Sequence, residues 1–430
     1  MSRITNWVIL ILCLLVVLTG YNYFVRPFAS LSQWTNSLSL ASPSPSPTPS
    51  TALAMWQGLT TDQKIWQLLA APVVINQRSI ATPLIASASA DFSPPTKAQQ
   101  WLSGQHPGWV TIFGEQISSH SARLVIDQLT DLSLVPTDQP LTWWPVVMVD
   151  HEGGEVQRLS GLGFTRLPSW QSTCQLSQER KIAIWQQSAR ELKSVGIDVV
   201  LAPVVDMASR HPILKTRICA ADYQTVTTNS QLWITIFKEA GLTSVIKHFP
   251  SIGQTTKDLH REFDRITVTA DDAQLYRSLL DQFPDLGVMV SHVGVINQYQ
   301  HLPCSLSSSC IGQLSQLYPQ ALVISDALEM KSAAYVNPQV WGLPDSNGSS
   351  SARSAPAQKT LADIAYQAIL AGNDVLVFGQ SVDQTQLETI VQRLSQAYGS
   401  DKLFTQAADR QGERVISWKL KRGKIKPIAK

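Results

Sequence analysis

From Thr51 onward, short apolar runs alternate with longer stretches in which apolar positions recur every three or four residues. The runs are Ala71–Ile75, Trp109–Phe113, Pro145–Val149, Asp198–Ala202, Ser244–Ile246, Gly287–Ser291, Ala321–Ile324 and Asp374–Phe378. Most are continuous in Val, Ile and Leu, the pattern of parallel strands covered on both faces. Between them the spacing predicts helices over Arg180–Val195, Thr228–Gly241, Ala273–Phe283 and Thr360–Ala371. Thr60 followed by Gln63 predicts a capping box at a helix start. Eight strands alternating with helices predict an α/β fold, a (β/α)8 barrel of the TIM type. Such a barrel places chemistry at the carboxyl ends of its strands, where this chain puts Asp150-His-Glu-Gly-Gly154, Pro203-Val-Val-Asp206, Lys247-His248, His292 and Ser325-Asp326. A doubly wound open sheet is the alternative, but no Gly-x-Gly-x-x-Gly follows the first strand.

The two ends break the pattern. Trp7 to Val25 is apolar and uncharged, long enough to cross a bilayer, and no Ala-x-Ala site follows it. An uncleaved signal anchor is expected, with a cleaved signal as the alternative. Alternating Pro with Ser or Thr over 41–50 then predicts a stiff extended spacer. The expected organisation is a cytoplasmic stub and membrane anchor over 1–28, a linker over 29–55, a catalytic barrel over 56–400 and a basic tail over 401–430. This arrangement places the barrel outside the cytoplasm. The tail reads as a solvated terminus or as a contact for anionic wall polymer or lipid. Asn337 to Gln358, rich in Ser, Pro and Gly, predicts a flexible loop.

Composition adds bounds. With 430 residues, 44% hydrophobic and 15% charged, the chain can bury a large core. A net charge of +2 gives no sign of a nucleic-acid partner. No metal-ligand spacing is present, and no cofactor is expected. Cys13 lies in the apolar run; Cys304 with Cys310 and Cys174 with Cys219 are candidate bridges, with four buried free thiols as the alternative.

The candidate chemistry lies in four strings. Val149-Asp-His-Glu-Gly-Gly-Glu-Val-Gln-Arg158 is the first, and Ala202-Pro-Val-Val-Asp206 with Arg217 is the second. The third is Lys247-His-Phe-Pro-Ser-Ile-Gly253 with Asp258-Leu-His260, and the last is Ser325-Asp-Ala-Leu-Glu-Met330. Together, over roughly Thr60 to Gln380, they resemble the β-N-acetylhexosaminidases of glycoside hydrolase family 3. That subgroup reads Asp-Gln-Glu-Gly-Gly-Arg-Val-Gln-Arg in the first and Lys-His-Phe-Pro-Gly-His-Gly with Asp-Ser-His in the third. Here His151, Glu155, Ser251 and Ile252 depart from it, and Arg217-Ile-Cys219 stands where Arg-Ser-Phe is usual.

The resemblance implies a retaining exo-glycosidase that removes terminal β-N-acetylglucosamine from peptidoglycan fragments or related glycans. Asp326 would be the nucleophile, His260 the acid/base and Asp258 the group that orients it. Asp150, Arg158, Arg217, Lys247 and His248 would hold the sugar, with His292 on the pocket floor. Asp206 would instead pair with Arg217 if its role is structural, and Glu329 would support Asp326 while pointing away from the strand end. Two further enzyme readings are a β-glucosidase and a phosphorolytic relative. A reading of another kind is a membrane-tethered sugar-binding protein with a weakened loop at Ser251-Ile252.

Overall fold

The computed structural model describes residues 50–75, 104–130, 133–136, 141–296, 302–335 and 359–427. The expected membrane anchor at Trp7–Val25, most of the linker and the loop Asn337–Gln358 lie outside these residues.

All eight expected strands form, each in phase with its apolar run. They are β1 (Leu69–Val74), β2 (Trp109–Phe113), β3 (Val146–Val149), β4 (Val199–Val200), β5 (Thr243–Phe249), β6 (Gly287–Val290), β7 (Leu322–Ser325) and β8 (Leu376–Val377). Neighbours in sequence are neighbours in the sheet, every pair is parallel, and β8 returns to pair with β1. A single bridge between Ile324 and Val375 joins the remaining edges, so the sheet is a nearly closed barrel. The strand residues are buried on both faces, which is why their sequences show no alternation.

The helices follow from local signals. Thr60 and Gln63 close the expected capping box on the helix Thr61–Gln67. Ser177, Asp222 and Thr269 cap the helices Gln178–Ser194, Tyr223–Glu239 and Ala270–Gln282, each accepting a backbone N–H of the first turn. Trp170, Trp185, Trp233 and Phe237 pack ring against ring where two of these helices meet the barrel. Both candidate disulfides form, Cys174 to Cys219 and Cys304 to Cys310.

The expected basic tail is part of the folded body. Lys402–Lys421 is a helix, and Ile425–Pro427 pairs antiparallel with Leu141–Trp143. Its cations meet carboxylates of the barrel: Arg414 with Asp374 at 2.8 Å, Arg422 with Asp285 at 2.9 Å and Lys424 with Asp198 at 2.5 Å. Lys419 is fully buried against Gln67, at 2.6 Å. Part of the charge that reads as a solvated run in sequence is thus paired within the chain, at the ends of the strands opposite Asp326.

Candidate active site

The first string turns back on itself just beyond β3. His151–Gly153 pairs with Val156–Gln157, and Gly153 and Gly154 adopt φ of +97° and +58° between them. A side chain at either position would be strained, so the Gly-Gly is dictated by the turn. The turn leaves Asp150 and Glu152 beside the cations of later strands. Lys247 Nζ lies 2.9 Å from Asp150 Oδ1 and 2.7 Å from Glu152 Oε1. Arg217, on a 3-10 turn over Lys215–Arg217, donates from Nε and Nη2 to the two Glu152 oxygens at 2.8 and 2.9 Å.

This quartet, with Glu152 and Lys247 buried and Asp150 and Arg217 half-buried, is electrostatically closed. Burial opposes charge on Glu152, but Arg217 and then Lys247 outweigh it and hold the carboxyl down at about 2. Burial also opposes charge on Lys247, and Asp150 and Glu152 reverse it, raising the ammonium above its ordinary value. Arg217 is likewise held protonated by Glu152. The role of Glu152 was not read from the sequence. Its signal was there, because Lys247 and Arg217 both need a buried counter-charge that Asp150 alone does not supply.

The expected pairing of Asp206 with Arg217 does not occur, since Arg217 forks onto Glu152. Asp206 instead binds the carboxyl end of β5, where the Lys247–His248 peptide is cis. Its Oδ2 accepts from the His248 backbone N–H at 3.2 Å and lies 2.7 Å from His248 Nδ1, while Oδ1 accepts from the Ile252 N–H at 2.7 Å. One buried carboxylate thereby sets the His248 ring and the start of the next loop.

That loop is not slack at its departures from the family. Ser251 Oγ accepts from the Gly253 N–H at 3.2 Å. Ile252 is buried with Leu214, Ile218, Leu259, Ile266, Val293 and Met330 in a small apolar cluster. His211, which sequence reasoning passed over, lies 3.0 Å from the Ile252 carbonyl and braces it. Asp258 and His260 follow, with His260 Nδ1 and the His260 backbone N–H each 3.0 Å from Asp258 Oδ1. The imidazole side chain is 69% exposed. With Nδ1 held by Asp258, Nε2 is the nitrogen without a hydrogen-bond partner among the described residues.

Asp326 stands half-buried just past β7. Its N–H donates to Val290 O and its Oδ1 accepts from the Ala327 N–H, at 2.9 and 2.8 Å. Burial pushes the carboxyl up, but His248, then His292, the Ala327 N–H and His260 hold it below the ordinary carboxylate value. It is therefore an anion near neutral pH, as a nucleophile needs. Glu329 turns to the neighbouring strand's loop: its Oε2 accepts from the Gly379 N–H at 3.0 Å, past β8. Burial, reinforced by Asp326, raises its carboxyl.

The expected place of His292 changes. His292 does not line an open floor: it is fully buried, with Nδ1 2.6 Å from Ser305 Oγ and Nε2 2.9 Å from Ala327 O. Both nitrogens are committed, so its contact is with the backbone beside Asp326 and not with a sugar. His151, one of the departures from the family string, is buried as well, with Nε2 2.9 Å from Ser188 Oγ. Arg158 reaches Asp150 through its backbone N–H, at 3.2 Å, while its side-chain Nε is buried with no hydrogen-bond partner among the described residues.

A nearly closed parallel α/β barrel with its charged groups gathered at the carboxyl ends of β3, β5 and β7 is the arrangement of barrel enzymes. The chain belongs to the glycosyl hydrolase family 3 N-terminal domain family, whose model matches residues 60–418. It is 32% identical over 200 residues to a β-hexosaminidase of Glaesserella parasuis, covering 44% of this chain and 58% of that one. To a β-hexosaminidase of Vibrio cholerae it is 30% identical over 239 residues, 54% of this chain and 69% of the other. The matched region thus spans little more than half the length of the first of these relatives. Among solved structures, a β-N-acetylhexosaminidase from Beutenbergia cavernae superposes with a TM-score of 0.66 at 22% identity, covering 85% of this chain and 99% of that one. The β-glucoside phosphorylase BglX gives 0.67 at 16%, with 89% and 64% covered. At such identities the likeness is one of fold.

Proposed function

We propose that the chain is a retaining exo-acting β-N-acetylhexosaminidase that releases terminal N-acetylglucosamine from peptidoglycan fragments or related glycans. The observation that carries this reading is the pairing of two loops. The Lys331 N–H donates to the His260 carbonyl at 3.2 Å, which ties the loop bearing the acid–imidazole pair to the segment that starts at Asp326. Asp326 attacks the anomeric carbon while His260 Nε2 protonates the departing oxygen, giving a covalent glycosyl-enzyme. His260 then takes a proton from water as that water displaces Asp326, and the sugar leaves with its configuration retained. Asp258 holds the ring and stabilises the imidazolium. Asp150, Lys247, Arg217 and Arg158 are the sugar-binding groups, and His248 is set by Asp206 beside them.

The β-hexosaminidase names of the relatives support this choice of sugar. The experiment is turnover of an aryl N-acetyl-β-glucosaminide by the full chain, with the anomer of the product followed by NMR. A β-anomer released first supports the reading; binding without turnover favours a sugar-binding protein, and preference for an aryl β-glucoside favours a β-glucosidase. A histidine, unlike a carboxylate, does not repel phosphate when neutral, so the same assay run with phosphate tests phosphorolysis through formation of the sugar 1-phosphate.

We place the barrel outside the cytoplasm, on a membrane anchor at Trp7–Val25. The uncharged length of that stretch and the two disulfides support this. Retention in the membrane pellet after an alkaline wash, with protease access from outside, is the expected result; recovery in the soluble fraction removes the anchor.

A further inference from the structure

His260 owes little of its position to its own side chain. The ring is 69% exposed and its one hydrogen-bond partner among the described residues is Asp258, two residues away in the same loop. Where the imidazole stands is therefore decided by what holds the loop backbone. The inner end is fixed by Asp206 on the Ile252 N–H and by burial of Ile252 and Leu259. In the middle, the N–H groups of Lys331 and Ser332 donate to the carbonyls of His260 and Leu259, both at 3.2 Å. At the outer end Phe263 stacks on Tyr335, with centroids 3.8 Å apart and planes 4° from parallel. Arg265 Nη2 donates to Tyr335 Oη at 2.9 Å, and the guanidinium lies 5.2 and 5.6 Å from the two ring centres. Gly294 backs the stack, since a Cβ there would stand 2.6 Å from Phe263 Cζ.

Tyr335 and Asp326 belong to one segment, and Phe263 and His260 to one loop. We propose that Phe263, Tyr335 and Arg265 form a clamp that sets His260 relative to Asp326, and that Tyr335 is a positioning residue for proton transfer. The proposal rests on the reading of His260 as acid/base. A displacement of about 1 Å at a reacting group costs about a hundredfold in rate. The clamp ties the loop that carries His260 to the segment that carries Asp326, without passing through the barrel wall.

The test compares the full chain with Tyr335→Ala, Tyr335→Phe and Phe263→Leu on two glycosides of the same sugar, one with a dinitrophenyl and one with an alkyl leaving group. Only the alkyl leaving group needs protonation to depart. Tyr335→Ala should lower kcat/KM on the alkyl glycoside by about tenfold to a hundredfold while moving kcat/KM on the dinitrophenyl glycoside little, because that ratio reports the step that forms the glycosyl-enzyme and not the attack of water. Tyr335→Phe, which keeps the stack, should recover most of the loss. Equal losses on both substrates, or none, overturn the proposal. Hydrogen exchange gives a readout independent of turnover: amides of 256–264 should exchange faster in Tyr335→Ala and Phe263→Leu, with those of β3 unchanged. Unchanged exchange in that loop refutes the clamp whatever the protein hydrolyses. A wild-type chain inert on every glycoside, yet with the exchange effect present, refutes the proposed function and leaves the clamp standing.

Discussion

The Glu152 carboxylate takes both Nε and Nη2 of Arg217, at 2.8 and 2.9 Å, and lies 2.7 Å from Lys247 Nζ. It joins a turn after β3 to a turn after β4 and to the end of β5. Removing it leaves a buried Lys247 and a half-buried Arg217 with too few partners. Glu152→Gln is expected to cost about 3–5 kcal/mol in urea unfolding and to raise KM. The pH sign follows from the depressed carboxyl: its folded value of about 2 lies below the ordinary 4.5. Its stabilisation is complete above the ordinary value and fades as pH falls toward the folded one. Unfolding curves of Glu152→Gln that match wild type at pH 7 would contradict the anchoring role.

Asp326→Asn should lower kcat by at least about a thousandfold, since the group proposed to bond to the anomeric carbon is lost. Intact mass after a slow 2-fluoro substrate should show a glycosyl adduct on wild type and none on the variant. An adduct retained by Asp326→Asn would move the nucleophile elsewhere.

His260→Ala should cost about 10²–10⁴-fold with an unactivated leaving group. Added azide should restore turnover of an activated aryl glycoside, because the small anion can do without a general base. Asp258→Asn is expected to lose less, since it keeps the oxygen that faces Nδ1. No azide effect, with both variants folded, would argue against an acid/base at this position.

His151 is buried beside Ser188, and burial pushes its ring down to about 3 from 6.5. Between those values the unfolded chain binds a proton that the folded chain refuses. Stability therefore falls as pH drops, by about 2 kcal/mol from pH 7 to pH 5. His151→Gln, the residue usual in the family at this place, should flatten that slope. Equal slopes in thermal unfolding of both proteins would remove His151 as the source.

The Cys174–Cys219 bridge closes a separation of 45 residues and lies two positions from Arg217. A loop of that length is worth about 4 kcal/mol in the chain-entropy view. Cys174→Ser with Cys219→Ser should lose stability of that order and raise KM more than it lowers kcat, because Arg217 is proposed to bind the sugar and not to react. An unchanged KM would confine the bridge to stability.

What was legible in the sequence is what depends on neighbours a few residues apart. Continuous apolar runs mark strands buried on both faces, capping residues mark helix starts, and strings such as Lys247-His248 and Ser325-Asp326 mark strand ends. The eight strands and the ring order of their polar ends follow from that local code. What only the tertiary structure decided are the partners across the ends of the barrel. Glu152 meets Arg217 across 65 residues and Arg414 meets Asp374 across 40. Neither pairing has a period or a motif to announce it. The same holds for His292 and His151, polar in sequence yet buried, and for the C-terminal cations, which read as a solvated run until their carboxylates are seen. Burial of a charge is settled by whether a counter-charge arrives from a distant strand. The chain order lists the candidates, and only closure of the barrel selects the pairs.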